Sequence, residues 1–279
     1  MRSLQEINQL LERKGTEIDF TRPVCDIFSD PNPPTLDGKT IDHWKGGWDK
    51  INIRAREAGN QGLQDLAIVM SKWVAGFKRK NKYTPDDVLR DMKKILGSCS
   101  NLAGWMRFSG KVYRGNFAST SSQWATPREF PSSFKVTKIS RMKATNMVGR
   151  THSYVVAEGM MPYTTSLPAQ SWSRDYGVAV GFATGDFKGA SEMTYPYSGN
   201  TTGYVLEYNI PAKESLNLVR FGNPDESEVI RLSNAPIQCK CDVIIGDSGG
   251  YVSADWFWEN ILTQAQRDQA KSLYNLRSY

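Results

Sequence analysis

The spacing of apolar residues along the 279-residue chain changes from a helical to a strand-like pattern near residue 110. Before this point apolar side chains recur at intervals of three and four, as an amphipathic helix requires, and the clearest run is Leu63, Leu66, Met70, Trp73, Val74 and Phe77. After it, short β-rich runs such as 203–210 and 241–246 are separated by clusters of Gly, Ser, Asn and Pro. Helices followed by strands predict an α+β protein, with a helical N-terminal lobe over residues 1–105 and a β-rich domain over residues 106–279.

Capping patterns predict two helices within the β-rich half. Ser173 is the expected N-cap of a helix that has Asp175 in its first turn, followed by Val178, Ala179 and Phe182. Near the C-terminus, Thr263 and Gln266 have the spacing of a capping box, in which each side chain bonds the backbone of the other residue. We therefore expect one helix after residue 173 and another after residue 263.

The cysteines are expected to be reduced and structural; they are Cys25, Cys99, Cys239 and Cys241. A disulfide scaffold has a higher density of cysteine, and residues 1–15 lack the apolar core of a secretory signal. The pair 239/241 does not have the CxxC spacing of zinc ligands, and the chain has only two histidines. We therefore predict that the protein holds no metal.

The net charge of +6 is unevenly distributed along the chain. Residues 72–94 carry eight basic and three acidic side chains, and residues 135–150 carry five basic and none acidic. Such stretches either face solvent or bind nucleic acid or an acidic protein, and both interpretations stay open. Because no apolar run approaches the about 18 residues of a membrane span, we expect no membrane association. The lack of an export signal in the sequence predicts a cytoplasmic location.

The segment 246–250 reads GDSGG, which resembles the nucleophile segment of trypsin-like serine proteases and the GxSxG elbow of α/β-hydrolases. The α/β-hydrolases need a histidine after the serine, yet both histidines, His43 and His152, precede Ser248. Neither histidine has the sequence context of the protease histidine. A tight turn after a buried strand accounts for the GDSGG segment without a catalytic role.

Three segments of the β-rich half contain the residues that carry a candidate chemistry. VYRG (112–115) places Arg114 at the end of a strand, and QSWSRDYGVAVGFA (170–183) has two serines that lead into a helix. FGNPDESEVIRL (221–232) is a turn-rich segment that brings Glu226 and Glu228 to a strand. In this order the segments resemble the arginine–serine–glutamate class of mono-ADP-ribosyltransferases, which includes clostridial binary toxins, vertebrate ecto-enzymes and bacteriophage enzymes that modify host proteins. The resemblance covers roughly residues 108–250.

The serine of this motif is assigned to Ser171. The Ser-Trp-Ser at 171–173 departs from the usual Ser-Thr-Ser only in its middle residue, and it joins the helix directly. The literal Ser-Thr-Ser at 119–121 follows Arg114 by only five residues, and no helix pattern comes after it. A proline separates Tyr-Thr-Thr-Ser at 163–166 from the helix.

The resemblance implies a fold, a co-substrate and a set of roles. The fold would be two packed, mostly antiparallel sheets around an NAD cleft, and NAD would be used without a metal. Glu228 would stabilise the oxocarbenium-like ribose while Ser171 holds Glu228 in place. Arg114 would offer forked donors to phosphate or ribose. The expected cofactor-binding residues are Arg114, Gly115, Ser171, Trp172, Ser173 and Glu228.

The same resemblance points to arginine as the acceptor. Glu226 precedes Glu228 by two residues and is expected on the same face of a strand. An acidic side chain there can orient an arginine and take its proton as the guanidinium attacks. Phe221 opens the loop, where members of the class place an aromatic that touches the target. Glu226 and Phe221 are therefore the expected substrate-binding residues, and the expected partner is a protein with an accessible arginine, acidic or associated with nucleic acid.

Two other functions are compatible with the sequence. An NAD glycohydrolase would use the same residues with water as the acceptor. A basic protein that binds nucleic acid or a polymerase on a degenerate scaffold would show salt-sensitive binding and would not depend on Glu228.

Overall fold

The computed structural model describes residues 16–40, 47–75, 85–119, 134–145, 151–165, 169–184, 201–218, 226–246 and 255–275. In these ranges the chain forms seven α-helices and ten β-strands, with four helices before residue 100 and eight strands from residue 110 onwards. The chain is therefore of mixed α and β composition, in the order that the α+β prediction requires.

Contacts divide the chain into two compact units, each made of several segments. Unit 1 comprises Met1–Ser109, Ser166–Ser171 and Ile210–Asn234, and unit 2 comprises Gly110–Thr165, Trp172–Asn209 and Ala235–Tyr279. Residues 166–171 and 210–234, which come later in the chain, therefore belong to the same unit as the N-terminal helices. The predicted division into residues 1–105 and 106–279 concerns function, and it stays a prediction.

Unit 1 contains four helices and two antiparallel strand pairs in the described part of the chain. The helices are α1 (Val24–Ser29), α2 (Gly47–Glu57), α3 (Gln61–Ala75) and α4 (Pro85–Leu96). The strand pairs are β1 (Thr35–Leu36) with β2 (Lys39–Thr40), and β8 (Ser215–Asn217) with β9 (Glu228–Arg231).

One apolar core holds the helices and the β8–β9 pair of unit 1 together. Leu63, Leu66 and Met70 of α3 are at most 1% exposed, as their helical spacing predicted. The same core includes Leu216 of β8 and Ile230 of β9. Burying one large aliphatic side chain contributes about 1.5–3 kcal/mol. Hydrophobic packing therefore fixes strand β9, which begins at a glutamate, against the helices.

Unit 2 is built on a β-sheet whose strands come from distant parts of the chain. In spatial order the strands are β4 (Val136–Thr145), β5 (Thr151–Tyr163), β10 (Ile237–Gly246), β7 (Thr201–Ile210), β3 (Gly110–Ser119) and β6 (Gln170–Ser173). The pairs β4–β5, β5–β10, β10–β7 and β3–β6 are antiparallel. Strand β6 belongs to unit 1 as far as Ser171 and to unit 2 from Trp172. The helices of the described part are α5 (Tyr176–Thr184), α6 (Asp255–Asn260) and α7 (Gln264–Asn275).

Helix α5 is the predicted helix after residue 173, but its cap differs from the prediction. The N-cap is Asp175, whose Oδ1 accepts hydrogen bonds from the backbone N–H groups of Gly177 at 2.6 Å and Val178 at 3.3 Å. Ser173 Oγ accepts a hydrogen bond from the N–H of Asp175 at 3.0 Å, just before the helix. The assignment of Ser173 as N-cap is therefore wrong, because an aspartate two residues later reaches the same donors. Phe182, on the same helix, is 39% exposed.

The capping box near the C-terminus is confirmed. Thr263 donates its backbone N–H to Gln266 Oε1 at 3.0 Å, and Gln266 donates its own N–H to Thr263 Oγ1 at 3.3 Å. Helix α7 begins at the next residue, Gln264.

Cys25 and Cys99 form a disulfide, so the expectation that all cysteines are reduced is wrong for this pair. Cys25 lies on α1 and Cys99 follows α4, and their Cα atoms are 5.1 Å apart. The two residues are separated by 74 positions, and only the packing of unit 1 brings them together. Cys239 and Cys241 are buried on β10 and lie outside this disulfide.

Reduction of the disulfide is expected to lower the free energy of unfolding by up to about 4 kcal/mol, because the cross-link restricts a long loop of the unfolded chain. Urea unfolding followed by tryptophan fluorescence, with and without a phosphine reductant, measures the effect. The double variant Cys25→Ser/Cys99→Ser is the control, and its midpoint should not respond to reductant. A wild-type midpoint that is equal under both conditions would contradict the prediction.

Candidate functional site

A buried carboxylate with two hydrogen-bond donors lies at the start of β9 in unit 1. Glu228 is the first residue of β9 and is 2% exposed. Its Oε1 accepts a hydrogen bond from Ser171 Oγ, and its Oε2 accepts one from the indole Nε1 of Trp73 at 2.7 Å. The donors come from positions 57 and 155 residues away in the chain, so tertiary packing alone assembles this group.

A buried polar network supports the Ser171–Glu228 contact. Arg231, on β9, is fully buried and donates from Nη1 to Gln170 Oε1 at 3.3 Å. Its Nε lies 3.2 Å from Glu214 Oε2, while Gln170 Nε2 donates to the carbonyl of Ser233 at 3.1 Å. The residue that precedes Ser171 is thus tied to the strand that carries Glu228. Because buried hydrogen bonds of this kind hold a unique geometry, serine and glutamate are fixed before any substrate binds.

Burial raises the pKa of the Glu228 carboxyl to about 7, because water no longer solvates its ionised form. The hydrogen bonds from Ser171 and Trp73 lower this pKa, and the negative charge of Glu226 raises it. A carboxyl whose pKa is near neutral gains and loses its proton in the physiological range. Shifted pKa values of this kind are common among the reacting groups of enzymes.

Glu226 lies outside strand β9, although its charge acts on Glu228. The strand begins at Glu228, and Ser227 between the two glutamates has a φ of 47°, in the left-handed region. The prediction that both glutamates share one face of a strand is therefore wrong, because the backbone turns at Ser227. Glu226 is half-buried. Left-handed backbone costs a residue other than glycine about 1 kcal/mol or more, and such residues cluster at functional sites.

Arg114, Trp172 and Ser173 belong to unit 2, whereas Ser171 and both glutamates belong to unit 1. Arg114 is half-buried in the middle of β3, which continues to Ser119, so the prediction that Arg114 ends a strand is wrong. Trp172 is 2% exposed, and its indole packs against the rings of Tyr163 and Tyr208 with centroids 5.8 and 6.1 Å apart. Ser173 is 6% exposed and supports the start of α5. Trp172 thus has a packing role and Ser173 holds the backbone just before α5, and their contacts with NAD stay predictions.

Gly115 allows helix α5 to pack directly on strand β3 in unit 2. An added Cβ at this position would lie 1.8 Å from the carbonyl oxygen of Ala179 and 2.9 Å from the backbone nitrogen of Ala183. No side chain fits in that space, so packing by itself requires glycine here. The role of Gly115 in binding the cofactor stays a prediction.

The structure adds Trp73 to the residues that were identified from the sequence. It belongs to the apolar stripe of α3, which the helical spacing predicted to be core. The spacing does not distinguish Trp73 from its neighbours, but a tryptophan in a buried stripe usually needs an acceptor for its indole N–H. Phe221, predicted to contact the target, lies outside the described residues.

Within the described ranges, no three His, Cys, Asp or Glu side chains are grouped so that they could hold a metal ion. The helices described above include none that is both long and apolar enough to cross a membrane.

Comparison of the chain with protein-family models, curated proteins and solved structures finds no match. The functional interpretation therefore depends on the motifs and on the geometry around Glu228.

The substitution Gly115→Ala is expected to lower the free energy of unfolding by about 1–3 kcal/mol, because the new Cβ would displace helix α5. Gly104→Ala is a matched control, since a Cβ at Gly104 would meet nothing within 4 Å. The control should change the free energy of unfolding by less than about 0.5 kcal/mol. Urea unfolding of both variants checks the prediction. An equal loss of stability in the two variants would contradict it.

The substitution Glu228→Gln is expected to increase stability relative to the wild type more at pH 8 than at pH 5. The carboxyl has an ordinary pKa of 4.5 and a folded-state pKa of about 7. As pH rises between these values, the unfolded chain releases the proton that the folded chain retains, so wild-type stability falls, whereas glutamine does not titrate. The stability difference between variant and wild type should grow by about 2 kcal/mol over this interval.

Urea unfolding at the two pH values measures this difference. Glu57→Gln, at an exposed position of α2, is the control and should show no comparable change with pH. A Glu228→Gln difference that is independent of pH would show that the carboxyl titrates near its ordinary value.

Proposed function

We propose that this protein is a mono-ADP-ribosyltransferase that transfers ADP-ribose from NAD to an arginine of a target protein and releases nicotinamide. The observation that carries the proposal is the hydrogen bond from Ser171 to the buried carboxylate of Glu228. The arginine–serine–glutamate motifs imply a serine that holds this glutamate. Two residues chosen from separate sequence motifs are in contact, and that contact supports the motif assignment.

A preorganised carboxylate suits cleavage of the glycosidic bond of NAD. As nicotinamide leaves, positive charge develops on the ribose, and an ionised carboxylate beside it stabilises that charge. Glu228 is held at both oxygens, so little reorganisation accompanies the reaction. Each carboxylate oxygen can accept a second hydrogen bond, which leaves Glu228 able to bind the ribose 2′-hydroxyl.

The other roles are proposed from the resemblance. Arg114 binds the phosphate or ribose of NAD, and Gly115 brings the backbone to the nicotinamide. Glu226 orients the target arginine and accepts its proton when the guanidinium attacks the ribose carbon that nicotinamide leaves. Glu226 precedes the strand, and its charge acts on Glu228, which is compatible with a role towards an acceptor that approaches the same carboxylate.

The finer fold and the cellular setting are also part of the proposal. The antiparallel strand pairs of unit 2 are compatible with the ADP-ribosyltransferase fold. We infer that the enzyme meets its target in a cytoplasm, as a bacterial effector or as a bacteriophage protein made inside its host. NAD is a co-substrate, and the proposed chemistry uses no metal.

Part of the basic segment 135–150 has partners within unit 2. Lys138 Nζ lies 3.4 Å from Glu158 Oε1, and Arg141 donates a hydrogen bond to the carbonyl of Leu273. Two of the basic side chains in residues 135–150 are thus engaged within the unit. Hydrolysis of NAD would use the same site as transfer, and the acidic Glu226 favours arginine over water as the acceptor.

Labelled-NAD transfer into a bacterial lysate tests the proposal. The wild type should label protein bands, and Glu228→Gln should reduce labelling about 100-fold or more, because it removes the charge that stabilises the ribose cation. Glu226→Gln should lose transfer to arginine and retain NAD hydrolysis. Glu57→Gln is the matched control and should label as the wild type does.

A wild-type protein that neither labels protein nor releases nicotinamide would overturn the proposal. Labelling that persists in Glu228→Gln would overturn the assignment of the catalytic carboxylate.

A further inference from the structure

The second donor to Glu228 comes from the helical part of the chain that precedes the transferase-like motifs. Trp73 lies in the last turn of α3, and its indole N–H points at Glu228 Oε2 over 2.7 Å. A residue outside the stretch that resembles the transferases therefore contacts the carboxylate assigned to the chemistry.

This contact fixes an orientation that Ser171 cannot fix alone. A carboxylate that is held at one oxygen can still rotate about its last side-chain bond. The hydrogen bond at Oε1 restrains one oxygen, and the indole at Oε2 removes the remaining freedom. Since Glu228 is 2% exposed, bulk water cannot replace a lost donor, and leaving a buried charged oxygen without its partner is costly.

We infer that Trp73 is a positioning residue, which holds Glu228 Oε2 in the orientation used for ADP-ribose transfer; this inference rests on the proposed function. The N-terminal helices then contribute directly to the reaction site.

The contact also favours the ionised form of Glu228. Ser171 and Trp73 both donate to the carboxylate and lower its pKa, and the charged group that acts against them is Glu226. An indole N–H is a donor only, so it stabilises the carboxylate more than the neutral acid. Loss of this donor should raise the pKa of Glu228 and leave less of the reactive form at neutral pH.

The test compares two tryptophan variants of the full chain. Trp73→Phe removes the indole donor and keeps an aromatic ring. Trp105→Phe is the matched control, because Trp105 lies in the same unit and donates its indole N–H to the backbone carbonyl of Asp30 at 2.8 Å. Nicotinamide release from NAD is measured from pH 5.5 to 9.5, and kcat and KM are obtained separately.

The wild-type rate should rise with pH through about 7, as Glu228 ionises. In Trp73→Phe the rate should rise at a pH about one unit higher than in the wild type. As a result, kcat should fall about tenfold on the acid side and much less above pH 9. KM should change less than kcat. Trp105→Phe should keep the wild-type pH profile, whatever its effect on stability.

Replacing Trp73 with benzothienylalanine, which has sulfur in place of the indole N–H, is a second and nearly isosteric variant. It should fold as the wild type does and show the same upward shift as Trp73→Phe. If kcat falls equally at every pH in both Trp73 variants, the contact has only a structural role, and the inference is overturned. A kcat above that of the wild type would mean that Trp73 obstructs Glu228, and would also overturn it.

Carbon-13 NMR of glutamate-labelled protein follows the Glu228 carboxyl directly, with Glu228→Gln to identify its signal. This readout needs no NAD, so it separates the two failures. A wild type with no NAD cleavage, together with a carboxyl titration that moves in Trp73→Phe, would overturn the proposed function and with it the positioning role. NAD cleavage in the wild type, with a titration that does not move in Trp73→Phe, would overturn the positioning role alone.

Discussion

The burial of the Glu228 carboxylate is the physical constraint on which the arrangement of unit 1 depends. A buried charge is tolerated only when donors replace its water, and here Ser171 and Trp73 supply one donor to each oxygen. The apolar core of α3 and α4 holds strand β9 from one side, and the Arg231 network holds the residue before Ser171. A substitution that disrupts either the apolar core or the Arg231 network therefore changes the position of the Glu228 carboxylate. The same contacts therefore determine both the stability of unit 1 and the properties of the Glu228 site.

Unit 2 depends on a different constraint, which is the close approach of a helix to the backbone of a sheet. A Cβ at Gly115 or Gly203 would lie within 1.9 Å of a carbonyl oxygen of α5, so β3 and β7 both need glycine where the helix crosses them. The sequence motif predicts Gly115 as a cofactor-binding residue. Its position shows that one glycine can be required by packing whether or not it also serves a site.

The parts of the fold that could be predicted are those set by residues close together in the chain. The buried stripe of α3 and the capping box of Thr263 and Gln266 depend on side chains within one or two helical turns, and both are confirmed. The predictions for Ser173 and Glu226 were wrong for local reasons that the sequence does not resolve. Asp175 competes for the same helix donors, and Ser227 adopts a left-handed conformation that the alternation of a strand does not anticipate.

By itself, the sequence determined the order of helices and strands, and it identified Ser171 and Glu228 as related residues through their motifs. Only the tertiary structure decided that Trp73 is the second partner of Glu228, that Cys25 bonds Cys99, and that Glu228 is buried. The physical reason is sequence separation. A contact across 74 or 155 residues is made by the packing of whole elements, and no short pattern in the chain records which elements will meet.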